Sequence, residues 1–142
     1  MSTIHFKIAT PEKVVYENDV FQVSIPTTTG QITILPNHSP LVSIIQSGEL
    51  KAIDANGEQL LAVAGGFLEV RANGEVIILA DRAERAEHID LERAEAARKR
   101  AEEQMQALKG QEDIDYAKLQ AIIDREMNRV RVAKKYRNIT ID

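Results

Sequence analysis

At Ala80 the chain changes character. Up to that residue the apolar positions are largely β-branched or leucine. From Asp81 the sequence runs DRAERAEHIDLERAEAARKRA, a mixture of Ala, Glu and Arg with strong helix propensity. The first composition suits a pleated, half-buried surface and the second suits a helix. The switch therefore divides the 142 residues into a β-rich front and a helical tail. Such a length admits one compact domain, or a small domain with an appendage. Aromatics make up only 4% of the chain, so the expected core is aliphatic.

In the front part, residues 3–9 and 13–16 read as short strands around the Thr10-Pro11 turn. Residues 20–25 alternate, with Val20, Phe21, Val23 and Ile25 separated by Gln22 and Ser24. A loop over 26–31 contains Gly30, which can take a positive φ, and Pro36 stops the strand at 32–35. Strands at 41–45 and 49–53 flank Ser47-Gly48. Asn56-Gly57 and Asn73-Gly74 fit type I′ turns, which places hairpins within 50–61 and 67–79. Short strands with regular turn signals predict an antiparallel β-sandwich over residues 1–83. Gly65-Gly66 reads as a bulge or a tight approach between strands, because a strand follows and no Gly-Lys-Ser/Thr does.

Residues 84–138 read as two helices forming an antiparallel hairpin, which makes the fold class segregated α+β. Asp90 suits an N-cap, Glu92 suits the first turn, and Gly110 supplies the stop. Ala94, Ala97, Ala101, Met105 and Leu108 recur at helical spacing as a thin seam. Asp113 or Asp115 can open the second helix. Along it Tyr116, Leu119, Ile123, Met127 and Val130 mark one stripe, and Ala117, Ala121, Arg125 and Arg129 another. At roughly 25 cal/mol per Å² an alanine seam binds weakly, so a marginally docked hairpin is expected.

The chemistry-bearing residues are few. A net charge of −4 gives no electrostatic case for nucleic acid. Without cysteine there is no disulfide, thiol nucleophile or Cys-ligated zinc. His5, His38 and His88 fall in separate elements, with no partner at metal-ligand spacing and no catalytic pairing. No signal-peptide pattern or membrane-length apolar run is present, so a cytoplasmic protein without direct membrane insertion is expected. Residues 125–137 gather Arg125, Arg129, Arg131, Lys134, Lys135 and Arg137 against Glu126 alone. Such a run is either a solvated face or a docking surface for an acidic partner.

Three stretches carry a resemblance: Gly65-Gly66-Phe67-Leu68-Glu69-Val70, Ile78 to Glu84 with Ile89-Asp90, and Ile34-Leu35-Pro36-Asn37-His38-Ser39-Pro40-Leu41. Together they resemble the epsilon subunits of bacterial and chloroplast rotary ATP synthases, over nearly the whole chain. The resemblance implies a non-catalytic subunit with no required cofactor, at the cytoplasmic face of the membrane. Its sandwich would bind the gamma subunit and the c-ring, with Gln31 and His38 in the contact region. Its hairpin would be a regulatory arm, compact when hydrolysis is permitted and extended toward the alpha and beta catalytic subunits when hydrolysis is inhibited. Arg131, Lys134 and Lys135 would then meet those subunits.

The run Ile89-Asp90-Leu91-Glu92-Arg93-Ala94 is similar to the family's ATP-binding motif. The resemblance carries ATP over as a regulatory ligand of Glu84, Ile89, Asp90, Arg93, Ala94, Arg125 and Arg129. Physically, Asp90 could accept from a base or ribose, while helix N–H groups and Arg93 attract phosphate. The family's glycine-rich loop departs here at Thr33 and Asn37, of which Asn tolerates positive φ and Thr does not. Gln31 stands where an acidic residue is common in the family. Two rival readings stand beside the rotor: a free-standing sandwich module with a helical arm, and a small hydrolase.

Overall fold

The computed structural model describes residues 2–108 and 113–141, with side chains for 2–108 and 116–138. It has two units, Met1–Ala86 and Glu87–Asp142. The boundary lies three residues beyond the expected 83/84 division. Strand pairing explains the offset: Leu61, Ala62, Val63 and Ala64 hold Arg85, Glu84, Ala83 and Arg82 in register, overriding their helical composition.

The first unit contains eight strands: β1 (Ile4–Ala9), β2 (Val14–Val20), β3 (Gln22–Thr27), β4 (Gly30–Ile34), β5 (Leu41–Ile44), β6 (Gly48–Asp54), β7 (Gly57–Val70) and β8 (Glu75–Arg85). Their order is β2-β1-β8-β7-β6-β3-β4, with β5 also paired to β7. All pairs are antiparallel except β1 with β8. Strand β3 runs through Pro26, so the expected loop shrinks to Thr28-Thr29. The Thr27 hydroxyl closes that turn by donating to the Gly30 carbonyl at 2.5 Å.

The long strand β7 serves two neighbours in succession on one edge. Residues 57–63 pair with β6, and residues 67–70 pair with β5. Gly65 and Gly66 lie at the changeover, both at positive φ. The β7–β8 register is continuous across them, so this is the tight approach and not a bulge. A Cβ on Gly66 would overlap the Leu79 carbonyl oxygen. The core is aliphatic as expected, with Ile8, Ile25, Ile34, Leu50, Leu61, Leu68 and Ile78 fully buried around Phe6.

Both Asn-Gly hairpins form, and the outer pairs Leu50↔Leu61 and Phe67↔Leu79 are register partners. The turns are not type I′, which needs positive φ at both central residues. Only Gly57 and Gly74 have it, while Asn56 and Asn73 do not. In the second turn the Gly74 N–H donates to the Arg71 carbonyl at 3.0 Å. The Asn73 carboxamide oxygen accepts from the Glu75 N–H at 3.1 Å. An Asn side chain that bonds locally favours a type I turn followed by a left-handed glycine.

A 3-10 turn (Ala86–His88) spans the boundary and leads into the second unit, where α1 covers Leu91–Ala107 and α2 covers Asp113–Ile141. Asp90 caps α1 as expected, accepting from the Arg93 N–H at 3.1 Å. The expected stop at Gly110 lies outside the described residues. Ala94 and Ala101 are buried, and Ala101 clusters with Leu119 and Ile123 against Met105, Leu108 and Ile122. Tyr116 and Met127, expected in the α2 stripe, are 48% and 47% exposed. After Ile123 the buried position moves by three residues to Glu126, a carboxylate where the stripe led to expect methionine.

Candidate functional site

The motif at residues 89–94 splits by burial. Ile89 and Ala94 are buried, whereas Asp90 and Arg93 are exposed. One Asp90 oxygen is committed to the cap, so this residue fixes the helix start as well as presenting a carboxylate. Glu84 lies within β8 of the first unit, not immediately before α1.

An ion pair between the two helices gives their phase, with Lys134 Nζ 3.5 Å from Glu95 Oε1. At about 100° per residue, Asp90 and Arg93 lie roughly 140° and 200° around α1 from Glu95. Arg129 and Arg125 lie about 140° and 180° around α2 from Lys134. Because the helices are antiparallel, all four residues fall on the side of the hairpin away from that ion pair. They do not converge on a point. Arg93 is two residues and Arg125 nine residues from the ion-paired level, in opposite directions, or roughly 16 Å along the axes. An elongated ligand fits such spacing better than a compact anion.

Arg125 and Arg129 share one partner. Glu126 accepts from Arg125 Nε at 3.3 Å and from Arg129 Nη1 at 2.8 Å. Sequence spacing identified the arginine pair but not this bond, since Glu126 counted only as the lone acid in a basic run. The i,i+3 relation between Glu126 and Arg129 was the available signal. Of the other basic residues, Arg131 donates to Asn128 at 3.4 Å and Lys134 pairs with Glu95. Arg131, Lys134 and Lys135 are all exposed.

In the first unit, the loop between β4 and β5 is set by backbone geometry. Asn37 has φ 68°, the one positive value at a non-glycine among the described residues, as its chemistry allows. Thr33 lies in β4, where an extended residue is required and a β-branched one is suited. The His38 N–H donates to the Leu35 carbonyl at 3.2 Å, and His38 Nδ1 lies 2.7 Å from the Ser39 carbonyl oxygen, so the ring is held outward. Gln31, on β4, and His38 are both exposed.

The sequence reading missed a feature beside that loop. Ile44, Phe67 and Leu79 are consecutive register partners across β5, β7 and β8. They are 53%, 59% and 59% exposed, and Val42, on the same face of β5, is 71% exposed. An apolar row across three paired strands is a contiguous patch, not scattered surface residues. Its signal lay in the alternation. Outward positions of a half-buried strand are ordinarily polar, and here one register row of them across three adjacent strands is not.

Comparison with known proteins covers both units. Residues 3–86 match the family described as ATP synthase, Delta/Epsilon chain, beta-sandwich domain. Residues 87–134 match the ATP synthase, Delta/Epsilon chain, long alpha-helix domain. The ATP synthase epsilon chain of Halalkalibacterium halodurans is 43% identical over 133 residues, covering 94% of this chain and 98% of that one. The epsilon chain of Dehalococcoides mccartyi is 44% identical over 137 residues, covering 96% of each. Among solved structures, a chain of the Euglena gracilis mitochondrial ATP synthase, determined as OSCP/F1/c-ring, shares the fold with a TM-score of 0.76 at 20% identity, covering 90% of this chain and 79% of that one.

Proposed function

Because the chain belongs to the epsilon-chain family of the ATP synthases, we propose that it is the central-stalk subunit that couples ion translocation to ATP synthesis and restrains ATP hydrolysis through its helices. Epsilon chains of this family are non-catalytic, so its work is binding and conformational change. The observation that carries the reading is the match of both units in order, sandwich then helices. The sandwich docks on the gamma subunit and the c-ring, and the Ile44–Phe67–Leu79 row supplies the apolar centre such an interface needs. Gln31 and His38 lie at the c-ring end. Among the described residues no helix is long and apolar enough to cross a membrane. Attachment at the cytoplasmic face therefore runs through these partners.

The hairpin is the regulatory arm. In its extended form Arg131, Lys134 and Lys135 meet acidic surface on the alpha and beta subunits. In its compact form ATP lies along the hairpin side that carries Asp90, Arg93, Arg125 and Arg129, with Ile89 and Ala94 as the buried floor. ATP then favours the compact form by its differential affinity for it. Co-expression with the gamma subunit and c-ring tests the stalk assignment, since failure to retain gamma overturns it. Calorimetric titration with ATP tests the ligand: binding lost in both Arg93→Ala and Arg125→Ala is the expected result.

A further inference from the structure

On α2 the Glu126 carboxylate bridges two guanidinium groups, Oε1 to Arg125 Nε at 3.3 Å and Oε2 to Arg129 Nη1 at 2.8 Å. The Glu126 side chain is 4% exposed, whereas those of Arg125 and Arg129 are 32% and 24% exposed. The carboxylate is thus the inner member and the guanidiniums are the outer ones. A buried carboxylate without partners would be strongly unfavourable, so the arginines are held to it. An anion arriving from solvent meets the guanidiniums with a negative charge already behind them.

That charge has two effects on the pair. It offsets one of their two positive charges at contact distance, in a partly desolvated setting where Coulomb terms are strong. It also occupies Nε of Arg125 and Nη1 of Arg129, reducing the edges available for a bidentate phosphate contact. We propose that Glu126 is a built-in anion that holds the Arg125–Arg129 pair in place of a nucleotide phosphate and thereby sets the affinity of the hairpin for nucleoside triphosphates. The inference rests on the reading of Arg125 and Arg129 as phosphate-binding residues. Glu126 opposes the ligand in proportion to its phosphate charge, and leaves contacts to base and ribose untouched.

The test is titration of the full chain with ATP and with adenosine, in the native sequence, Glu126→Gln and Glu126→Asp. The expected result is ATP binding about tenfold tighter in Glu126→Gln, with adenosine binding unchanged. Glu126→Asp, which keeps the charge, is expected to bind ATP no more tightly than the native chain. Native helicity by circular dichroism establishes that each variant is folded. If the native chain binds ATP and Glu126→Gln binds it equally or more weakly, Glu126 is a scaffold and the proposal is overturned while the nucleotide reading stands. A gain in Glu126→Asp equal to that in Glu126→Gln overturns it too. If neither the native chain nor Glu126→Gln binds ATP, the nucleotide reading falls and this inference falls with it.

Discussion

The Tyr16 hydroxyl donates to Asp54 Oδ2 at 2.8 Å, joining β2 to the end of β6 by a buried polar bond. Asn18, the Asn56 N–H and Gln59 donate to the same carboxylate. Burial pushes the Asp54 carboxyl up, but these four donors outweigh it and hold it below the ordinary carboxylate range. Because the folded-state value is depressed, the network stabilises the protein above the unfolded value. That contribution is lost as pH falls through the folded one. Tyr16→Phe removes one donor from a buried charge and is expected to destabilise the sandwich by about 1–3 kcal/mol in urea unfolding at neutral pH. The same variant should show a shallower acid dependence than the native chain.

Gly66 and Gly57 separate space from conformation. Both have positive φ, at 113° and 104°. A Cβ on Gly57 meets nothing within 4 Å, whereas one on Gly66 overlaps the backbone of Leu79 and Ala80. Gly57→Ala is therefore expected to lose about 1 kcal/mol, for conformation alone. Gly66→Ala should lose more than about 3 kcal/mol, because the β7–β8 pairing must open to admit it. Equal midpoints for the two in thermal melts would show that the close approach is not a constraint.

Phe67 and Leu79 are paired and exposed, so their loss should affect binding and not folding. Phe67→Asp and Leu79→Asp are each expected to change stability by less than about 0.5 kcal/mol, as surface substitutions do. If the row is the centre of the gamma interface, each should weaken gamma binding by at least about 2 kcal/mol, the loss typical of a buried anchor. Surface plasmon resonance against immobilised gamma subunit, beside a melt of each variant, measures both quantities.

How far the sequence could be read depends on which interactions were local. Hairpins, strand alternation, the Asp90 cap and the positive φ of Asn37 were legible because each follows from a residue and its immediate neighbours. The end of β8 was not, since residues 82–85 have helical composition and are strands only by pairing with β7. The α2 stripe failed at Tyr116 and at Met127, at the second for a related reason. Methionine at 127 fits the pattern better than glutamate at 126, and the flanking arginines make the buried carboxylate tolerable. The apolar row needed the order of β5, β7 and β8, which alternation within one strand does not give. Asp90, Arg93, Arg125 and Arg129 could be named from motif and spacing. Their shared side and their spread along the hairpin axis required the Glu95–Lys134 pair.

His5 lies between two carboxylates, 2.8 Å from Glu17 and 3.1 Å from Asp19. Their hydrogen bonds, Glu17 foremost, raise its pKa above the ordinary imidazole value. A raised folded-state pKa means that the contribution to stability is fully present below the unfolded value and is lost as pH rises through the folded one. Glu17→Gln should lower the His5 midpoint in an NMR titration and flatten the stability profile above the unfolded imidazole value. The site is exposed, so the change in overall stability will be small.

The two units should differ in how readily their backbones open. In the sandwich, Leu61, Leu68 and Ile78 sit in an extensive aliphatic core on paired strands. In the hairpin the buried apolar residues include the small Ala94, Ala101 and Ala133 beside Leu91, Leu119, Ile123 and Val132, with Met105, Leu108 and Ile122 only partly buried. Alanine brings the axes close while burying little apolar area, so separating the helices exposes less than unpairing the sandwich. Amide hydrogen exchange of the full chain should therefore show α1 and α2 opening by a subglobal route, at least about 100-fold less protected than residues 61–63. Ala101→Leu sharpens the test. With no room at a buried position, the larger side chain should lower helix protection further, by about 1–3 kcal/mol, and leave the sandwich amides unchanged. Protection in α1 and α2 equal to that of the sandwich would mean that the whole chain opens as one cooperative unit, a poor basis for a switching arm.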